Sequence, residues 1–204
     1  METEVEKIDF DAKKVFAKDK TGREISEAYD KLIIASGSLP ISPKIPGLDL
    51  AGVEYVKLFQ DGQKIHSLLD QGDVKTVAVV GAGYIGVELA EAVQRRGKKV
   101  LLFEALDTCL ASYYDDWFTH DMDQNLKSHG IELHFGETVK EISGPGKVRS
   151  ITTSKGDFPV DMVIMAIGFK PNSALGAGGA LETLPNGAYK VSLKQETSKP
   201  DVYA

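Results

Sequence analysis

One cysteine in the whole chain, Cys109, leaves no partner for an internal disulfide and fits a reducing, cytoplasmic setting. No run approaches the roughly 18 consecutive apolar residues that a membrane span requires, and no signal-peptide pattern opens the sequence. Positive charge is not in excess. Against 24 Lys and Arg stand 30 Asp and Glu, and the net charge of −6 argues against a nucleic-acid groove, because phosphate backbones select for surplus cations. His66, His120, His129 and His134 have no metal-ligand spacing and read as solvated or core residues. Internal repeats and low-complexity tracts are missing too. What remains is a soluble globular composition, 42% hydrophobic and 26% charged over 204 residues, enough for one good core or two small ones.

Residues 1–38 read as extended structure: Val5–Phe10 and Lys14–Ala17 are short mixed runs before the turn at Asp19–Gly22, and Tyr29–Ala35 suggests a buried strand entering the Ser36-Gly37-Ser38 loop. Pro40, Pro43, Pro46 and Gly47 disfavour both helix and central strand and mark a boundary. Residues 58–70 are expected to form a short amphipathic helix with Phe59, Ile65, Leu68 and Leu69 on its apolar side. Val77–Val80 reads as a buried strand, followed by a glycine loop and a helix over about 84–96 whose core stripe is Ile85, Leu89 and Val93. Val100–Phe103 is the next strand; Phe118, Met122 and Leu126 stripe another helix; Ile131, Leu133 and Phe135 alternate as a third strand. Residues 138–160 suggest an antiparallel meander, and Val160–Ile167 a strand buried on both faces. From 171 onward Gly, Ala, Asn and Pro dominate, with a hint of strand at Tyr189–Val191. The last residues, Asp201–Ala204, stop inside a strand, which reads as a truncated piece of a longer protein. The expected fold is α/β, a Rossmann-type parallel sheet with helices on both faces plus a small antiparallel meander.

Gly81-Ala82-Gly83-Tyr84-Ile85-Gly86 is a GxGxxG motif in the context its chemistry requires, after a buried strand and opening a helix. Gly81 permits the tight turn, Gly83 lets backbone approach a pyrophosphate, and Gly86 lets helix and strand pack closely. The phosphates would sit at the helix N-terminus, where amides and dipole favour anions. Glu104, at the end of the second strand, is the acidic residue expected about 20 positions on. Its carboxylate suits the adenosine ribose hydroxyls and repels a 2′-phosphate, so NAD(H) is expected over NADP(H). The bland alternative is a glycine-rich turn that has lost its ligand.

Three flanking segments carry a resemblance. Tyr29-Asp30-Lys31-Leu32-Ile33-Ile34-Ala35-Ser36-Gly37-Ser38-Leu39-Pro40 resembles the segment of two-dinucleotide flavoproteins that precedes their NAD domain. Val163–Asn172 resembles the segment that leaves it, and Thr197–Ala204 the stretch before their second FAD motif. The family resembled is the pyridine nucleotide–disulfide oxidoreductases, and Gly83–Glu88 with Asp107–Asp115 look most like its NADH oxidases. NADH peroxidases and coenzyme A–disulfide reductases share much of the pattern, as does a cysteine-free ferredoxin or rubredoxin reductase. The resemblance implies hydride passing from NADH to FAD and on to oxygen, and a parent that is a homodimer or higher oligomer. It also divides the chain into a partial FAD-domain segment (1–45), an NAD(H)-binding domain (46–170) and a second partial FAD-domain segment (171–204). The first FAD motif and the redox cysteine of the family are not in the sequence, so the piece is expected to bind NADH weakly and to be inactive alone. A non-catalytic module that senses NADH is the reading from another class.

The same resemblance makes Tyr84 a gate over the flavin that swings away for NADH; the alternative is a surface tyrosine packed on the helix end. Glu88 is placed near the nicotinamide carboxamide or serves the helix dipole. Ile85 packs in the core or beside the cofactor. Gly168 lends its backbone to the cofactor or merely ends a strand. Ser36 and Gly37 resemble a backbone contact to FAD. Cys109, with neither a CxxC partner nor a nearby histidine, reads as structural rather than redox-active. Asp115 and Asp116 read as partners of a helix N-terminus.

Overall fold

In the computed structural model, residues 2–176 and 180–204 are described, so residues 177–179 of the glycine-rich stretch lie outside the described residues. The elements in chain order are β1 (Thr3–Asp9), β2 (Lys14–Asp19), β3 (Glu24–Ala28), β4 (Leu32–Ile33), β5 (Ser38–Pro40), β6 (Val53–Tyr55), α1 (Phe59–Leu69), β7 (Thr76–Val80), α2 (Tyr84–Gln94), β8 (Lys99–Phe103), α3 (Asp116–Ser128), β9 (Ile131–His134), β10 (Val139–Ser143), β11 (Ser150–Thr153), β12 (Asp157–Pro159), β13 (Met162–Met165), β14 (Phe169–Pro171) and β15 (Val202–Tyr203). They fall into two compact units, Pro40–Gly168 and the pair of segments Met1–Leu39 and Phe169–Ala204.

The unit Pro40–Gly168 is a five-stranded parallel sheet in the order β6-β13-β7-β8-β9. Strand side chains alternate between faces, and here both faces are buried, which is why β13 is apolar throughout and β7 and β8 are apolar after their first residues, Thr76 and Lys99. Val77, Val79, Val100, Leu102, Ile131, Met162 and Ile164 turn to one face and pack with Ile65 and Leu69 of α1, Ala90 and Val93 of α2 and Leu126 of α3. Ala78, Val80, Leu101, Phe103, Val163 and Met165 turn to the other, where Ile142, Val148 and Ile151 of the meander region meet them. Each such aliphatic side chain, fully buried, contributes roughly 1.5–3 kcal/mol of transfer free energy.

The α/β class, the parallel sheet and the β10-β11-β12 meander match the sequence expectation. Helices on both faces do not: all three helices pack into one apolar cluster, and the meander covers the second face instead. The reason lies in β10 and β11, where Ile142 and Ile151 offer inward-facing apolar positions that do a helix's work.

The helix stripes also sit differently from the expectation. In α1, Ile65 and Leu69 are buried while Phe59 is 77% exposed. In α2 the buried residues are Gly86, Ala90 and Val93, and Ile85 faces out. In α3 they are Thr119, Asp123 and Leu126, with Phe118 exposed. Periodicity marks the helices correctly, but small or hydrogen-bonded residues take the inner face where backbones approach closely.

The other unit contains the antiparallel sheet β1-β2-β3 and two short pairings, β5 with β14 and β4 with β15. The apolar run at 29–35 yields only a two-residue strand, with Ile33 exposed and Ile34 buried. A small core of Ile8, Ile34, Leu181 and Val202 holds this unit. Asp201, at φ +61°, ties the start of β15 down by accepting from Lys13 Nζ at 2.6 Å and Lys31 Nζ at 2.9 Å. Hydrogen bonds from Lys13 and then Lys31 pull its carboxyl down to about 2 from the ordinary 3.8. A depressed folded-state value stabilises at pH above the unfolded value and is lost as pH falls through the folded one. Thermal unfolding followed across pH should therefore show an Asp201 contribution that is complete above about pH 4 and fades towards pH 2. Asp201→Asn should lower the melting temperature at neutral pH and flatten that part of the acid limb; an unchanged profile would refute the assignment.

Candidate dinucleotide site

Strand β7 ends at Val80, and α2 begins only four residues later, so the chain must reverse within the glycine loop. Gly81 does so at φ +101°, and a Cβ on it would stand 2.5 Å from the carbonyl oxygen of Ala166, just past β13. Gly86 lies on the inner side of the first turn of α2, where a Cβ would fall 1.7 Å from the carbonyl oxygen of Gly81. Gly83, the N-cap of α2, differs from both. The nearest atoms to its Cβ direction are those of the Tyr113 ring, at 3.8 and 4.0 Å. Two glycines thus bring backbone against backbone, and the third leaves a face open beneath an exposed ring.

This turn lies at the switch point of the sheet. Strand β7 sits between β8 and β13, and the strand order runs outward in opposite directions from that pair. Ligands of open α/β sheets bind in the crevice beyond the strand C-termini at such a point. The first amides of α2 have no carbonyl four residues back to bond, so they and the helix dipole present a positive end to that crevice.

Glu104 follows β8 directly. Its Oε2 accepts the Ala82 amide of the glycine loop at 2.7 Å, and its Oε1 accepts the amides of Ala105 at 2.7 Å and Leu106 at 3.1 Å. Its own amide donates to the His134 carbonyl at 3.0 Å, and its carbonyl accepts from the Glu137 amide at 2.9 Å. A carboxylate offers about four acceptor positions. Three are committed to backbone, which leaves one, on Oε2, for an outside hydroxyl. The imidazole of His134 stacks on Phe103 at 4.7 Å and lies between the carboxylates of Glu132 and Glu137, at 2.9 and 3.3 Å. That is a packed histidine hydrogen-bonded on both ring nitrogens; no group of His, Cys, Asp and Glu among the described residues could hold a metal.

Gly81, Gly83, Tyr84, Gly86 and Glu104 gather around this one turn. Ile85 is 44% exposed beside it, which corrects the core placement. Glu88 is exposed one turn along α2 from Tyr84, on the same side of the helix. Gly168, at φ +104° and exposed, lies just beyond the Ala166 carbonyl that abuts Gly81, and its own carbonyl accepts from the Ile41 amide at 2.9 Å.

Ser36 and Gly37 belong to the other unit. There they line a cavity of about 220 Å3 together with Ile34, Asn172, Tyr189 and Ala204. The Ser36 hydroxyl donates to the Asn172 carbonyl at 2.5 Å, so towards a ligand it can only accept.

Sequence reasoning missed Tyr113 and Tyr114, adjacent aromatics after Leu110 that stay exposed. Tyr84 and Tyr113 have ring centroids 4.5 Å apart, and the Tyr84 hydroxyl donates to that of Tyr114 at 2.7 Å. That bond heads the causes that raise the Tyr84 phenol above its ordinary range. The segment carrying both rings is anchored by a buried carboxylate. Asp123 accepts from the Thr108 hydroxyl at 2.7 Å and the Cys109 amide at 3.1 Å, while the Leu110 amide donates to the Ala82 carbonyl at 2.8 Å. Cys109 is fully buried, and burial, followed by Asp123, pushes its thiol up to about 12. This is the environment of an inert structural thiol.

With the geometry in place, likeness to known proteins decides the family. The entire chain, residues 1–204, matches the family described as pyridine nucleotide-disulphide oxidoreductase. The chain belongs to that family. A relative named NADH oxidase from Lactococcus lactis is 57% identical over 205 residues, covering 100% of this chain and 46% of the relative. A relative from Pyrococcus abyssi named NAD(P)H sulfur oxidoreductase (CoA-dependent) is 35% identical, covering 98% and 44%. A water-forming NADH oxidase from Lactobacillus brevis, solved bound to NADH, superposes with a TM-score of 0.93 at 37% identity, covering 99% of this chain and 44% of its own. The chain spans about half the length of these family members.

Two outcomes follow. Gly81→Ala, combining a positive φ with a backbone clash, should destabilise the chain by about 1–3 kcal/mol in denaturant titration; a neutral substitution would show that the turn tolerates other conformations. Cys109 should resist alkylation in the native protein at pH 8 and react fully once unfolded, as mass spectrometry would show; rapid native labelling would contradict its burial.

Proposed function

We propose that this chain is the NAD(H)-binding portion of a flavin-dependent NADH oxidase, and that it delivers hydride from NADH towards FAD for the reduction of oxygen. The observation that carries the reading is the open face of Gly83 at the head of α2, next to a carboxylate with one free acceptor position. The pyrophosphate would lie against Gly83 and the first amides of α2. Glu104 would take a ribose hydroxyl on Oε2 and disfavour a 2′-phosphate, since its fixed negative charge faces the same place. Tyr84 and Ile85 would border the nicotinamide, with Glu88 near its carboxamide and Gly168 offering backbone from the opposite wall. FAD, when bound by the whole protein, supplies the hydride acceptor; Ser36 and Gly37 would form part of its cradle.

Among the described residues no helix is long and apolar enough to cross a membrane, and a cytoplasmic, homo-oligomeric parent is part of this proposal. Likeness to the CoA-dependent sulfur oxidoreductase supports a second reading. It would keep the same NADH site and change only the final acceptor, to a coenzyme A disulfide or a peroxide.

Calorimetric titration with NADH and NADPH tests the cofactor assignment. Wild type should prefer NADH. Glu104→Gln removes the charge and leaves a single acceptor oxygen, so it should weaken NADH by about 10- to 100-fold, as loss of a charge-assisted hydrogen bond of roughly 1.5–3 kcal/mol implies, and narrow the preference. Stronger NADPH binding by wild type, or no binding of either at millimolar concentration, would overturn the proposal.

A further inference from the structure

Tyr84 opens α2 and is 46% exposed, so nothing in the apolar core fixes its ring. Its position is set instead by two neighbours from the segment after Leu110. Tyr113 packs against its face at 4.5 Å and 55°, and Tyr114 meets it edge-on at 6.1 Å and 74°. Only Tyr114 holds it through a directional bond, the 2.7 Å hydroxyl contact. The pair is not loosely tethered. The amides of Tyr113 and Tyr114 both donate to the Leu110 carbonyl, at 2.9 and 3.3 Å, and Leu110 itself, at φ +54°, is pinned to Ala82 in the glycine loop. Tyr113 therefore stands over Gly83, with the rings of Tyr84 and Tyr114 packed beside it.

A pyrophosphate laid against the Gly83 face would meet the Tyr113 side chain, which lies 3.8 Å from that glycine's Cβ direction, and would press on that ring. Tyr113 packs on Tyr84, so the two rings must shift together, and the shift strains or breaks the Tyr84–Tyr114 hydrogen bond. We propose that Tyr114 is a positioning residue, a latch that holds Tyr84 closed over the glycine loop and so sets how readily the dinucleotide enters. The proposal rests on the NADH reading above and adds the residue that regulates access to that site. Tyr114 contributes no group to the dinucleotide itself; it acts through Tyr84.

Breaking the latch should help binding, because the free chain no longer has a hydrogen bond to give up. Tyr114→Phe keeps the ring and removes the hydroxyl. Titration of the chain with NADH should show an affinity about two- to ten-fold higher than wild type, the size set by one ordinary hydrogen bond. Tyr84→Phe removes the other hydroxyl of the same bond, so the double variant should gain no more than Tyr114→Phe alone. Ring-carbon NMR of labelled tyrosine supplies a readout that does not depend on NADH: the Tyr84 ionisation should fall towards the ordinary range in Tyr114→Phe. If the Tyr84 ionisation does not move, the latch does not exist in solution. If it moves while NADH affinity stays unchanged or falls, the bond exists but does not control entry, and the proposal fails. Absence of NADH binding in wild type and every variant would overturn the cofactor reading and the proposal together, and the ionisation data would still report whether the bond forms.

Discussion

A parallel strand buried on both faces has to end somewhere, and β7 ends where its neighbours leave least room. Ala166, leaving β13, places its carbonyl in the space a Gly81 side chain would need, and the Gly81 carbonyl fills the space a Gly86 side chain would need. The chain can pass only as bare backbone. That constraint sets the entry angle of α2, which in turn sets where Ala90 and Val93 meet the sheet. It also points the free end of α2 at the crevice. The proposed anion site is thus a consequence of close packing between two strand ends and one helix rather than a separate construction.

Glu104 belongs to that packing before it belongs to any ligand. Its side chain joins the end of β8 to the glycine loop through Ala82, and its backbone joins β8 to the β9 end through His134 and Glu137. Hydrogen bonds to a charged acceptor are roughly twice as strong as neutral ones, so the loop is organised without a dinucleotide present. A shorter Asp would place the charge similarly but bring its oxygens less far towards Ala82. The same carboxylate therefore sets the loop geometry and, on the proposed reading, the charge preference for a cofactor. A carboxamide removes the charge while keeping one of the two acceptor oxygens, so it disturbs the loop less than alanine does.

Legibility in the sequence followed the kind of force involved. Val77–Val80, Val100–Phe103 and Met162–Met165 were visible because strands buried on both faces must be apolar at every position. The glycine loop was visible because its constraint is steric and admits one residue type. The inner faces of the helices were misread where packing is closest: Gly86, Ala90 and Thr119 are buried because they are small, whereas Ile85 and Phe118 point outward. Hydrophobic periodicity does not register that preference. The second face of the sheet differs from the expectation for a related reason, since a meander can cover it with a few inward apolar side chains, Ile142 and Ile151, while its own sequence reads as isolated short strands. Tyr113 and Tyr114 escaped notice because their role depends on a turn fixed from afar.

That turn shows how far from the cofactor the site is built. Asp123 is buried on α3, beneath the segment it supports, and accepts one hydroxyl and one amide. Losing either partner would leave a buried carboxylate short of a hydrogen bond, a cost of about 1–3 kcal/mol or more for a charged group. The cost is avoided only while Thr108, Cys109 and Leu110 keep their present path. Leu110 must then take a left-handed conformation that disfavours a branched aliphatic residue, and its amide must find Ala82. The two tyrosines emerge from this fixed path already aimed at Tyr84. The aromatic cover is exposed and held by weak contacts, but its base is among the most constrained backbone in the unit. On the proposed reading, mobility at the rings and rigidity beneath them are compatible, because only the cover would have to move.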